Sequence, residues 1–335
     1  MTAPLGAPLG APPSAPPGAP AWPLVVIGGY LGAGKTTLVN HLLREEARTP
    51  GGRRIAVLVN DFGEIAIDAD LIEGADGGVL SLAGGCVCCS DGGDLLGALA
   101  QLRQREPPPD VVLVETSGVG LPAAVARTAR LAPGYAIEGI VVVADAAALR
   151  QQVSAPYVGA TVMQQLHEAD LLVLSRTDLL AHADAEIAAL EAWLREQAVH
   201  APAVRAVRGD VAAAVVLGVT MRAAFGATAA PVVAQAPAQP MRLARPIAPA
   251  FVARTLRYAR PVDIAALGAT LRAEGALRAK GWVLDAGSGQ WHELQLAGHR
   301  VEWRAALPPS SLADAAAGLL VVIGAVPDHR RPSTP

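Results

Sequence analysis

The sequence predicts an α/β fold: a mostly parallel sheet with helices on both faces, followed by a smaller C-terminal α+β domain. Three observations predict it. Short, wholly apolar runs recur between residues 23 and 175, as strands buried on both faces require. Amphipathic segments alternate with them, which is the pattern of βαβ units. After about residue 220 the pattern changes to an Ala/Pro/Gln-rich stretch and then to mixed strand, helix and hairpin signals.

The elements follow in order. Residues 1–21 are a Pro/Ala/Gly tract without an apolar face and are expected to be a disordered tail. Pro23–Gly28 is the first strand, followed by a Gly-rich turn and a helix over Thr36–Ala47. Arg54–Asn60, Asp110–Glu115, Gly139–Asp145 and Asp170–Ser175 are further strands, with Val204–Val207 a sixth. Asp94–Gln104, Leu121–Leu131 and Asp184–Gln197 are the helices between them. This first domain is expected over 22–225, with a linker at 226–249. In a second domain over 250–326, Ala250–Arg257 and Trp282–Asp285 read as strands around a helix at Pro261–Glu274. A hairpin turning at Ala297-Gly298, a helix at Leu312–Ala317 and a last strand at Leu319–Ile323 complete it, and 327–335 form a tail.

Composition narrows the function. Hydrophobic residues make up 52% and charged residues 17% of 335, enough for large cores. The 27 basic and 30 acidic residues give a net charge of −3, which argues against a nucleic-acid binder or a polybasic membrane protein. Mean hydropathy is +0.36, but Ala inflates it, and no run is a convincing bilayer span of ~20 residues. The N-terminus lacks the charged and apolar regions of a signal peptide, so the cytoplasm is the expected location. All three cysteines fall in Cys86-Val87-Cys88-Cys89, which is no disulfide framework. Lys35 and Lys280 are the only lysines, and a contact with a partner or with the first domain is one reading of Lys280.

Gly29-Tyr30-Leu31-Gly32-Ala33-Gly34-Lys35-Thr36 fits the phosphate-binding loop G-x-x-x-x-G-K-[ST], after a buried strand and before a helix. Such a loop curls backbone N–H groups around phosphate oxygens at a helix N-terminus. Gly29, Gly32, Ala33, Gly34, Lys35, Thr36 and Thr37 are the expected nucleotide contacts, with Lys35 on the β- and γ-phosphates and Thr36 on Mg²⁺. Ser175-Arg176-Thr177-Asp178 ends the fifth strand and resembles the N/S/T-K-x-D guanine motif of P-loop GTPases. There Asp178 would accept from guanine N1–H and the exocyclic amine, while the Arg176 stem covers the base plane. ATP in place of GTP stays open.

Glu115-Thr116-Ser117-Gly118 follows the third strand. Glu115 can hold Mg²⁺ through water and Gly118 can offer its N–H to the γ-phosphate; an ordinary strand-end acid is the alternative. Asp61 and Glu64, after the second strand, are hard donors for Mg²⁺, an attacking water or a second metal, or else solvated acids. Cys86, Cys88 and Cys89 offer three soft thiolates suited to Zn²⁺, Co²⁺ or Cu⁺. A redox pair or inert buried cysteines are the alternatives.

These motifs in this order resemble the CobW family of P-loop GTPases, relatives of the urease and hydrogenase maturation GTPases. The match runs through GGYLGAGKTTLVN at Gly28–Asn40, VNDFGE at Val59–Glu64, GGCVCC at Gly84–Cys89, ETSGVGLP at Glu115–Pro122 and SRTDL at Ser175–Leu179. RAKGWVLD at Arg278–Asp285, HELQLAGHRVEW at His292–Trp303 and LLVVIG at Leu319–Gly324 resemble the CobW C-terminal domain. The resemblance implies GTP hydrolysis coupled to binding a transition metal, Zn²⁺ first and Co²⁺ next, and to its delivery to a client metalloprotein. Val59 and Asp61 stand where many members carry Glu, which leaves Glu64 as the non-cysteine metal candidate. A GTPase switch in protein or cofactor assembly without metal carriage is the alternative, and a P-loop phosphotransferase a third reading. A monomer or weak homodimer is expected.

Overall fold

The computed structural model describes residues 21–59, 79–81, 93–218, 251–308, 312 and 317–325. Residues 1–20 and 327–335 of the expected tails, the 226–249 linker, Asp61, Glu64 and the three cysteines lie outside the described residues.

The first sheet has seven strands: β1 (Trp22–Gly28), β2 (Ile55–Val59), β3 (Val79–Ser81), β4 (Val111–Glu115), β5 (Tyr135–Asp145), β6 (Leu171–Ser175) and β7 (Ala203–Arg205). Their order is β3-β2-β4-β1-β5-β6-β7, and every pairing is parallel. All carboxyl ends therefore share one edge. Every residue of β2, β4 and β6 is buried, as the continuous apolar runs require.

Alternate residues of β1 meet different helices. Val25 and Ile27 pack with α1 (Lys35–Arg48) through Leu38, Val39 and Leu42, and with α7 (Ala213–Leu217). Leu24 and Val26 pack with α2 (Gly93–Leu102) and α3 (Pro122–Ala129). On that same face, Val142, Ala144, Leu172 and Leu174 meet α5 (Gly159–Glu168) and α6 (Ala183–Glu196). A short α4 (Leu149–Ser154) precedes α5.

The second sheet is antiparallel: β8 (Phe251–Tyr258), β9 (Ala276–Leu284), β10 (Trp291–Ala297), β11 (Arg300–Ala305) and β12 (Gly318–Ala325), in the order β11-β10-β9-β12-β8. The helix α8 (Ile264–Ala273) packs on it through Leu267 and Leu271. Its first N–H groups are capped by Asp263, whose Oδ1 accepts from Ala265 at 2.9 Å and Ala266 at 3.2 Å. The strand expected at Trp282 starts six residues earlier, at Ala276. Arg278 and Lys280 interrupt its apolar pattern, yet both lie in the strand.

Those two residues join the domains. Arg278 is 1% exposed. Its guanidinium donates to the carbonyls of Val215 (2.7 Å) and Val216 (2.7 Å) in the last turn of α7, and to Glu138 (3.1 Å) in β5. Burial lowers its pKa to about 10, against the opposing pull of Glu138 and Asp170, so it stays a cation at neutral pH. Lys280 Nζ reaches the buried Glu138 carboxylate at 2.7 Å, the contact with the first domain that the sequence suggests. Gln295 donates to Ile137 O at 2.9 Å, and Arg300 Nε lies 3.4 Å from Asp170 Oδ1. A Cβ at Gly298 would lie 1.6 Å from Asp170 O, so backbone meets backbone there. Ile137, Glu138 and Asp170 sit at the amino side of β5 and β6, opposite the edge where the motif loops emerge. Among the described residues, no helix is long and apolar enough to cross a membrane.

Candidate nucleotide site

The site is built on the carboxyl edge, where loops of an open α/β sheet gather around a ligand. The chain leaves β1 at Gly28 and turns through Gly29 and Gly32, at φ of 137° and 72°, to Gly34 at 101°. A Cβ at Gly29 would lie 2.2 Å from Val143 O, so only glycine lets the loop run this close to β5. Gly34 is the N-cap of α1, and no side chain caps that end among the described residues. The first turn of α1 carries no acid either, so its N–H groups and partial positive charge face an incoming anion. Lys35 is buried in that turn.

Thr36 Oγ1 donates to Glu115 Oε1 at 2.9 Å, which joins the first helical turn to the end of β4. Glu115 is 1% exposed. Beyond it, the hydroxyls of Thr116 and Ser117 are buried without a hydrogen-bond partner among the described residues. The Thr36 hydroxyl and the Glu115 carboxylate fit a hydrated Mg²⁺. Gly118 lies over the phosphate loop: a Cβ on it would meet the Leu31 side chain at 2.4 Å.

A cavity of about 230 Å³ opens beside the loop. Ala33, Gly34 and Thr37 line one wall, Ser175, Arg176 and Asp178 another, and Ala206, Arg208 and Gly209 a third. Ser175 Oγ donates to Ala33 O at 2.7 Å, which fixes the phosphate loop against the end of β6. Arg176 takes a left-handed φ of 54° and its guanidinium meets the buried Asp145 carboxylate at 2.6 Å. The Arg176 side chain is thereby anchored at its head while it lines the cavity. Asp178 is exposed, in a 3₁₀ turn at Thr177–Leu179.

The structure thus gathers every described candidate: the loop residues with Lys35, Thr36 and Thr37, then Glu115, Gly118, Ser175, Arg176 and Asp178. Sequence reasoning misses the third wall. Arg208 and Gly209 follow β7 at φ of 52° and 80°, and a Cβ at Gly209 would lie 2.8 Å from Thr37 O. The signal available was positional, since Val204–Val207 reads as a strand whose carboxyl end must reach the same edge. Asp145 is missed too, although it ends the fourth expected strand.

The nucleotide-binding-domain model of the CobW/HypB/UreG family matches residues 23–205, and that of the C-terminal domain of the cobalamin synthesis protein cobW matches 251–331. The chain belongs to the CobW/HypB/UreG family. It is 31% identical over 226 residues to the zinc chaperone CobW of a Sinorhizobium species, covering 58% of this chain and 62% of that protein. It is 31% identical over 170 residues to the zinc chaperone YjiA of Escherichia coli, covering 48% and 51%. The chain thus spans between about half and three-fifths of these two relatives. The crystal structure of Zn(II)-bound YjiA GTPase from E. coli aligns with a TM-score of 0.40 at 21% identity, covering 92% of this chain and 96% of that one. That likeness is too loose to place side chains. The two matched models, a nucleotide-binding domain followed by a cobW-type C-terminal domain, fall on the two sheets described above.

Proposed function

We propose that this CobW/HypB/UreG-family protein is a GTP-dependent metallochaperone. It hydrolyses GTP and couples the hydrolysis to carrying a transition metal, Zn²⁺ before Co²⁺, to a client metalloprotein. One observation carries the nucleotide half. The phosphate loop, the Thr36–Glu115 pair and a cavity walled by Ser175, Arg176 and Asp178 share one sheet edge. The names of its relatives support the metal half, zinc chaperones among them. So does the chain's course: β3 ends at Ser81, paired with Val59 on this edge, five residues before Cys86.

Each residue has a task. Asp178 accepts from guanine N1–H and the exocyclic amine, and the anchored Arg176 stem covers the base. Backbone N–H groups of the loop and of α1 receive the phosphates, and Lys35 neutralises the β- and γ-oxygens. Thr36 and Glu115 would hold Mg²⁺, which supplies further positive charge at those oxygens when bound. Gly118 reads the γ-phosphate through its N–H. The γ-phosphate draws the Asn60–Glu64 segment, with Asp61 and Glu64, and the cysteine segment inward, so that Cys86, Cys88 and Cys89 converge on the metal, with Glu64 a further candidate ligand. Hydrolysis releases both segments and the cargo. The thiols must deprotonate to bind, so uptake weakens at acid pH.

The test titrates Zn²⁺ and Co²⁺ against a competing chelator, with Mg²⁺ and either GTPγS or GDP. The same titration is run on a Cys86→Ser/Cys88→Ser/Cys89→Ser variant. Tight, thiol-dependent binding with GTPγS alone supports the proposal. Equal affinity with both nucleotides removes the coupling, since a ligand without preference shifts no equilibrium. Binding that survives without the thiols moves the protein to an assembly switch without metal carriage.

A further inference from the structure

We propose that Gln165 is a positioning residue that sets the γ-phosphate-sensing loop, so that it governs discrimination between GTP and GDP without touching either. The inference rests on the nucleotide reading above and goes beyond it. Gln165 lies in α5, against the Gly118 loop and beside Tyr30 of the phosphate loop, and is 1% exposed. Its amide Nε2 donates to Gly118 O at 3.1 Å and to Gly120 O at 2.8 Å. Both amide hydrogens are thereby committed to one short loop. A turn further along α5, Glu168 Oε2 accepts from Ala123 N at 2.8 Å, at the start of α3. One helix thus grips the chain leaving β4 at three backbone points.

The consequence follows from peptide planarity. Within one peptide unit the C=O and the following N–H point in opposite directions. Holding Gly118 O fixes the direction of the Val119 N–H, and holding Gly120 O fixes that of Leu121. The unit that carries the sensing Gly118 N–H is set one step removed: Gly120 N donates to Ser117 O at 3.0 Å and so aims that N–H, and Gly120 is a residue whose carbonyl Gln165 holds. Carbonyls drawn toward α5 leave their partner N–H groups facing away from it. Leu31 of the phosphate loop lies against Gly118, so this backbone is in contact with both α5 and the phosphate loop. An amide suits this work better than a hydroxyl or a carboxylate, because it presents two donors in one plane. Gly118 and Gly120 suit it too: without side chains, the loop's backbone can approach both neighbours.

GDP touches the phosphate loop, α1 and the base cavity; Gln165 shares a small cavity with Tyr30 and Ala33 of the phosphate loop but spends both amide hydrogens on Gly118 and Gly120, so losing those two bonds is expected to spare GDP. GTP adds the one group that the Gly118 loop meets. The two nucleotides therefore separate a positioning role from a structural one.

The experiment measures the affinities of the full chain for GDP and GTPγS by competition with a fluorescent guanine nucleotide in Mg²⁺, together with single-turnover GTP hydrolysis. It uses wild type, Gln165→Leu and Gln165→Glu. Gln165→Leu removes both donors, and Gln165→Glu keeps the shape while losing the paired N–H groups. The expected result is GDP affinity within about twofold of wild type, a GTPγS-to-GDP affinity ratio lowered about tenfold, and hydrolysis slowed at least as much. Far-UV circular dichroism and a cooperative unfolding transition certify that each variant is folded, and either variant suffices if the other is not. A ratio and a rate within twofold of wild type overturn the inference. So does a parallel loss of both affinities in a folded variant, which marks Gln165 as structural. A wild-type protein that neither binds guanine nucleotides nor hydrolyses GTP overturns the nucleotide reading itself, and that result is visible before any variant is made.

Discussion

A carboxylate at position 178 can accept from two adjacent N–H donors on a guanine edge; an alanine accepts from none. One charge-assisted hydrogen bond contributes about 1.5–3 kcal/mol, so Asp178→Ala, which loses two, should lower the preference for GTP over ATP by at least about 10- to 100-fold. Competition of the two nucleotides for the cavity measures it, and an unchanged preference would remove Asp178 from the base contact. A second residue-scale expectation concerns alkali. Tyr135 donates to Leu99 O at 2.7 Å, and burial raises its pKa well above its ordinary 10.0, against a small pull from Arg103. The folded chain therefore keeps this proton above pH 10, where the unfolded chain releases it. Its contribution is present below pH 10 and is lost as pH rises. Tyr135→Phe should lower stability at pH 8 by about 1 kcal/mol for the lost hydrogen bond. It should also make stability fall less steeply above pH 10 in denaturant titrations followed across that range. Parallel curves for both proteins would contradict the assignment.

Among elements, α8 offers a clean measurement because its cap stands far from the nucleotide edge. Asp263→Ala should cost about 1 kcal/mol in chemical denaturation while GDP affinity stays as it was. A loss of affinity would mean that α8 communicates with the site. The elements also show what a reader of residues alone can reach. The phosphate loop was legible because strand, turn and helix are local, and three glycines with one lysine state the geometry in eight residues. The two buried faces of β2, β4 and β6 were legible from unbroken apolar runs. The start of β9 was not. Arg278 and Lys280 break the apolar run ahead of Trp282, and what they meet in the strand is a set of acceptors 63 and 142 positions away. The third wall of the cavity hid for a related reason: Val204–Val207 read as a strand, but Arg208 and Gly209 after it carry no motif, and only the fold sets them against Thr37. The grip of Gln165 on Gly118 and Gly120 was equally out of reach, since it spans 47 and 45 positions between two polar stretches with no pattern in common.

At the scale of the whole molecule, the two sheets share a core as well as polar contacts. Leu277 and Ile323 from the second sheet belong to the same apolar cluster as Val215, Val216 and the α1 side chains. Arg278→Met should therefore keep some packing while stranding three carbonyl groups that the guanidinium satisfies. The expected loss is about 3–5 kcal/mol, the scale for breaking a buried charged network. Unfolding followed by tryptophan fluorescence and by nucleotide release would test it. Coincident transitions are expected, because both domains lose the same interface; a first transition confined to the second domain would show that the interface is weak.

That seam has a practical edge. A fragment ending near residue 218 would leave Glu138 without its lysine and three carbonyls without their arginine. It would also open to water an apolar surface that Leu277 and Ile323 now cover. Such a fragment would clump or lose its base cavity, because the short helix that carries Val215 and Val216 follows directly on the wall made by Arg208 and Gly209. A fragment without nucleotide binding would then testify to a torn seam, whereas point changes at Arg278 or Lys280 keep both sheets in one chain and ask what the stitching does.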